Sequence, residues 1–99
     1  PEALAAATVL KEQGLETKIG VIGIGGSKEG VEAVASGKMF GTVKVSGADD
    51  GATSLRTLLA VVQGKGSELK VDTTGERPTV VVDAVMITKE NAADNPGDW

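Results

Sequence analysis

The spacing of apolar residues changes period several times along the chain, and each change marks an element. In 1–13, Leu4, Ala7 and Leu10 recur every three residues, which predicts a helix with one buried stripe. Pro1 suits its first turn, Glu2 stands by the positive end of its dipole, and Gly14 is placed to end it. Leu15 to Lys18 is a short connection. From Ile19 to Ile24 the pattern becomes an Ile/Val run with interspersed Gly, as expected of a strand covered on both faces. Gly25, Gly26 and Ser27 form a loop, and Ser27 is placed to cap a short helix through Ser36. That helix turns Val31, Val34 and Ala35 inward and stops at Gly37.

Phe40 to Val45 predicts a second strand, followed by the turn-prone Ser46 and Gly47. From 48 to 63 the positions Ala48, Ala52, Leu55, Leu59 and Val62 alternate steps of four and three. This spacing predicts an amphipathic helix closed by Gly64. Lys65 to Pro78 is polar and loop-like, Thr79 to Thr88 is Val-rich and long enough for a strand, and Lys89 to Trp99 reads as a polar tail. The resulting order is helix, strand, helix, strand, helix, strand. It predicts an α/β fold of about three mostly parallel strands with flanking helices, joined by right-handed crossovers. An α/β domain seldom starts on a helix, because the first helix normally closes a crossover from an earlier strand. The chain is therefore expected to begin inside a larger fold.

Composition narrows the chemistry. The 99 residues hold neither His nor Cys, which removes a Ser-His-Asp triad, a thiolate nucleophile and a disulfide framework, and leaves no His or Cys to ligate zinc. Ten basic residues stand against 14 acidic ones, for a net charge of -4, and the aromatics are Phe40 and Trp99 alone. Neither a phosphate-tracking field nor a base-stacking platform follows from this, so no nucleic-acid partner is expected. A chain of this length buries about 60 to 65% of its unfolded surface, enough for one modest core.

The candidate chemistry lies in loops. Gly23-Ile-Gly-Gly-Ser-Lys-Glu-Gly30 follows a strand and precedes a helix, where exposed amides attract anions. Its spacing fits neither common nucleotide template. The dinucleotide fingerprint needs Gly at Lys28, and the P-loop needs Lys-Ser/Thr where Val31 and Glu32 stand. Asp49 and Asp50 fit a capping role at the head of the third helix, Glu29 and Glu32 a solvated face, and Asp83 an exposed position in its strand.

In order along most of the chain, the segments resemble the carboxyl-terminal part of periplasmic sugar-binding proteins, the ribose-binding-like solute receptors of ABC importers. Leu10-Lys-Glu-Gln-Gly-Leu15 resembles the family's helix ending in L-K-E-A-G. Val21-Ile-Gly-Ile-Gly-Gly26 resembles its V-V-G-F-D-G strand and loop, and Glu29 to Lys38 its E-A-L-E-A-I-K-S-G-K helix. Gly41-Thr-Val43 is similar to the start of A-T-V-A-Q, Asp50-Gly51 falls where the family has its M-G helix, and Ile87-Thr-Lys-Glu-Asn91 is similar to the terminal V-T-K-E-N.

The resemblance implies a two-lobed receptor without catalysis or cofactor, periplasmic or secreted and lipid-anchored, closing on a sugar-like solute and presenting it to an ABC permease. It implies a single incomplete domain over 1–99, a hinge crossing near 45–47, and ligand contacts from Gly25, Gly26, Ser27, Val45 and Ser46. It also implies that the helix over 48–63 belongs on the other lobe and has lost its partner, so that its Leu55, Leu59 and Val62 stripe packs on the local sheet, swaps with another copy or stays exposed as an association surface. Two positions depart from the family: Gly25 stands where a ligand-binding Asp is usual, and Val45 where Gln is usual. The loss of both groups points to a ligand that is larger, less polar or differently charged than a free monosaccharide. Two further readings of the fold are the effector domain of a transcription regulator and a small phosphate- or nucleotide-binding protein using Gly23 to Gly30.

Overall fold

The computed structural model describes residues 2–99; Pro1, assigned above to the first helical turn, lies outside the described residues. The chain is a small α/β fold with three helices and a mixed three-stranded sheet. Its elements run α1 (Glu2–Glu12), β1 (Ile22–Gly25), α2 (Lys28–Ala35), β2 (Gly41–Val45), α3 (Gly47–Val62) and β3 (Ala84–Ile87), with short 3-10 turns at Gly66–Glu68 and Ala92–Asp94. The contacts divide these into two compact units, one of residues up to 46 together with 84–99, the other of 47–83.

In the first unit the strand order is β1-β2-β3. β1 and β2 are parallel, with Gly25 beside Lys44, joined by the crossover through α2 that parallel neighbours need. β3, however, is antiparallel to β2, with Ala84 opposite Val45 and Ile87 opposite Thr42. The expectation of mostly parallel strands is corrected here. The chain leaves the sheet at Val45 and re-enters beside it at Ala84, so it must run back along β2. The expected strand over 79–88 also shortens to four residues. Thr79 pairs instead with Asp72 in an isolated bridge, and 80–83 stay outside the strand.

Side chains alternate across a strand, so Gly23, Thr42 and Ile87 form one row on one face of the sheet. α1 and α2 cover that row. Val34 and Ile87 are fully buried, and Ala7, Val31, Ala33, Met39 and Ala92 complete the cluster, with Ala3, Leu4 and Val21 packed against it. At Gly23 a side chain would meet Met39 Cε at 2.9 Å and Ala3 Cβ at 3.1 Å, so α1 lies almost directly on the β1 backbone. On the opposite face β1 is open: Ile24 is 83% exposed and Ile22 55%, so this strand is covered on one face and not on both.

In the second unit, α3 is amphipathic as expected, but no residue of 47–83 is buried. The half-buried positions of α3 are Ala52, Thr53, Thr57 and Ala60, whereas Leu55, Leu59 and Val62 are exposed. Lys65 N–H bonds the Ala60 carbonyl and ends the helix. Beyond it, Asp72 Oδ1 accepts from both the N–H and the hydroxyl of Thr74, which holds its carboxyl below the usual value and shapes the turn to Thr79.

Ile87 joins β3 to both helices, and truncating it leaves a cavity at the centre of a small core. Ile87→Ala is expected to cost about 2 to 5 kcal/mol. A urea titration followed by circular dichroism checks this, and a midpoint unchanged from the parent refutes the assigned core.

Candidate functional site

The carboxyl ends of β1 and β2 bring together all five residues singled out in the sequence. Gly25 and Gly26 turn the chain out of β1 with φ of +125° and +72°, values that favour glycine. Ser27 then caps α2: its hydroxyl accepts from Gly30 N–H at 3.2 Å, and the residue is buried, so this oxygen already serves the helix. Val45 and Ser46 end β2, both half-buried. The two loops lie side by side because β1 and β2 pair in parallel. At Gly26 a side chain would meet Lys44 Cβ at 2.6 Å and Lys44 Cα at 2.7 Å, so the two backbones are in close contact.

A segment that the sequence reading left as a polar tail covers this edge. Residues 96–99 fold back over the β1–α2 loop as a strap. The Trp99 carbonyl accepts from Lys28 N–H at 2.8 Å, filling one of the open donors at the head of α2. The Trp99 ring lies against Gly25, with Cζ2 at 3.3 Å from where a side chain would begin. Gly97 rests directly on the backbone of Ser27 and Lys28, which leaves no room for a side chain there. Lys44 Nζ donates to the Pro96 carbonyl at 2.6 Å and pairs with Asp98 Oδ1 at 2.8 Å. Together the Lys44 and Ser46 hydrogen bonds hold the Asp98 carboxyl below its ordinary 3.8.

No protein-family model matches the chain, and no curated protein shows significant similarity to it.

Beside the Trp99 ring a space of about 20 Å³ is lined by Ala3, Leu4, Gly23, Gly26, Ser27 and Met39. A single water fills such a volume, whereas small-molecule sites measure about 300 to 1,000 Å³. Larger cavities occur elsewhere in this unit. One of about 430 Å³ lies by Ile19, Val21, Met39 and Phe40 at the opposite end of the parallel strands, and one of about 500 Å³ by Val31, Ala35 and Ala92. The charged residues on their linings, among them Glu32, Lys38 and Lys89, are exposed, so neither cavity gathers buried polar groups. Among the described residues no three or more acidic side chains gather to hold a metal, and no helix is long and apolar enough to cross a membrane.

Lys44 and Asp98 are the residues at this edge that sequence reasoning misses, whereas Trp99 is legible there as a residue that either packs back as an anchor or stays disordered, and it packs back. Pro96 and Lys44 stand 52 positions apart, so no local pattern joins them. The one available signal was a lone Trp closing a polar stretch right after Pro96-Gly97-Asp98.

Because folding lowers the Asp98 pKa, the strap's ion pair contributes above the unfolded value and is lost as pH falls through the folded one. The NMR resonance of the sole indole, Trp99, is expected to shift on acidification below about pH 4. Asp98→Asn is expected to abolish that titration; an indole that titrates identically in the variant refutes the link.

Proposed function

We propose that the chain is the carboxyl-terminal part of a two-lobed solute-binding protein serving a sugar-type ABC importer, of the ribose-binding-like receptor family. The observation that carries this reading is the convergence of 25–27 and 45–46 on one carboxyl edge of the sheet, where α/β folds place their ligands. The ordered resemblance of the segments supports it, as does the course of the chain, which leaves the first unit after Ser46 and returns at Ala84. A double crossing of this kind is what a hinge between lobes requires. In this reading the complete protein binds solute by hinge closure outside the cytoplasm and hands it to a membrane permease, with no covalent step.

Calorimetry on the complete gene product tests this directly. Micromolar or tighter binding of a sugar or sugar derivative is expected, and none by the 99-residue chain alone, because the remainder of the binding surface is supplied by other residues. A complete product that binds no such solute, or one that carries a helix-turn-helix ahead of this sequence, refutes the receptor role; the second result favours an effector-binding regulator.

The isolated chain is also expected to self-associate through the exposed Leu55, Leu58, Leu59 and Val62 of α3. Sedimentation checks this: Leu55→Lys with Leu59→Lys lowers the average mass, and an unchanged mass refutes α3 as the contact.

A further inference from the structure

Three donors converge on the strap, and each meets an oxygen. Lys28 N–H meets the Trp99 carbonyl, Lys44 Nζ meets the Pro96 carbonyl and the Asp98 carboxylate, and Ser46 also bonds that carboxylate. The Lys44 side chain is only 16% exposed, and residues 22–28 and 41–46 bring no acidic residue to this edge. The Asp98 carboxylate therefore supplies the negative charge in contact with that ammonium. Residues 96–99 also lie on the loop itself, the Trp99 ring against Gly25 and Gly97 on the backbone of Ser27 and Lys28. A solute reaching these loops must lift the strap.

Displacing the strap sets a condition on the solute. A neutral sugar would leave the shielded Lys44 ammonium without a counter-charge, which is costly. A solute with its own carboxylate restores the pair and the bond to Ser46 through charge-assisted hydrogen bonds. Its ring has an apolar face to lay on Gly25, where the Trp99 ring now lies.

Resting on the receptor role above, we propose that strap 96–99 is a built-in stand-in for an anionic sugar, and that the solute is a sugar acid of the hexuronate class. Its carboxylate replaces that of Asp98 on Lys44 and Ser46, and its ring replaces Trp99 over Gly25. The strap is then a competitor that neutral sugars displace poorly, and selectivity for charge follows from the exchange.

The test is calorimetry on the complete gene product with D-glucuronate and D-galacturonate against D-glucose, D-galactose and D-glucose 6-phosphate. At least one uronate is expected to bind tenfold or more tightly than its neutral parent. Lys44→Met, which keeps the stem that packs on Gly26, is expected to remove that preference, and Asp98→Asn, which weakens the competitor, to tighten uronate binding several-fold. Equal or tighter binding of a neutral sugar, or tighter binding of the phosphate ester, overturns the sugar-acid assignment and leaves the receptor role standing. Failure to bind any of the five overturns the sugar-acid assignment; binding of another sugar by the same product then keeps the receptor role, and binding of none overturns both. Should Lys44→Met not fold, Asp98→Asn decides alone, and unchanged or weaker uronate binding in that variant overturns the proposal.

Discussion

The larger unit depends on the burial of one row of its sheet, Gly23, Thr42 and Ile87, beneath α1 and α2. The buried set is small, with three alanines among its members and two side chains, Val34 and Ile87, sealed completely from solvent. A core of such short side chains holds only where backbones approach closely. At Gly23 the absence of a side chain lets Ala3 and Met39 descend onto β1. Since dispersion falls steeply with separation, the contacts at this row do most to fix the helices on the sheet. The position of α2 in turn fixes its amino end, and with it the direction of Lys28 N–H.

From that placement follows the chemistry of the carboxyl edge. The parallel register sets Lys44 beside Gly25, and the alternation of β2 turns it to the same face as Thr42, toward the start of α2. A cation held there among backbone groups needs acceptors, and the strap provides a carbonyl and a carboxylate. The Gly25–Gly26 loop is thus electrostatically tied to a segment far away in sequence, and its surroundings are set by Lys44 and the strap as much as by its glycines.

The elements legible in the sequence were those set by local chemistry. Ser27 caps α2 as its position after two glycines implied, Gly14, Gly37 and Gly64 take positive φ at the helix ends, and β1 and β2 emerge within the Ile/Val runs. What escaped was decided by distant partners. Val80, Val81 and Val82 have strand propensity, yet they stay outside β3 while Thr79 pairs with Asp72, and Val81 remains 67% exposed. The direction of β3 was hidden for the same reason, since it depends on where a long excursion returns. In α3, periodicity identified an amphipathic helix but not which side would be shielded. That the two loops 25–27 and 45–46 leave neighbouring strand ends was legible from the strand and turn pattern, whereas the Lys44–Asp98 ion pair beside them links residues with no shared pattern.

The antiparallel pairing of Val45 with Ala84 has a topological consequence. Directly paired residues in such a ladder have Cα atoms about 4.5 to 5.5 Å apart, so the segment 46–83 departs and returns through a single narrow gate. In the grammar of folds it is an insertion: the sheet of the larger unit would close as a plain hairpin if a short turn replaced it. Loop-closure entropy grows only logarithmically with length, so the sheet tolerates great variation in what is carried at that gate. Evolution can therefore exchange or enlarge the excursion while leaving the register of the strands, and the edge they present, unaltered.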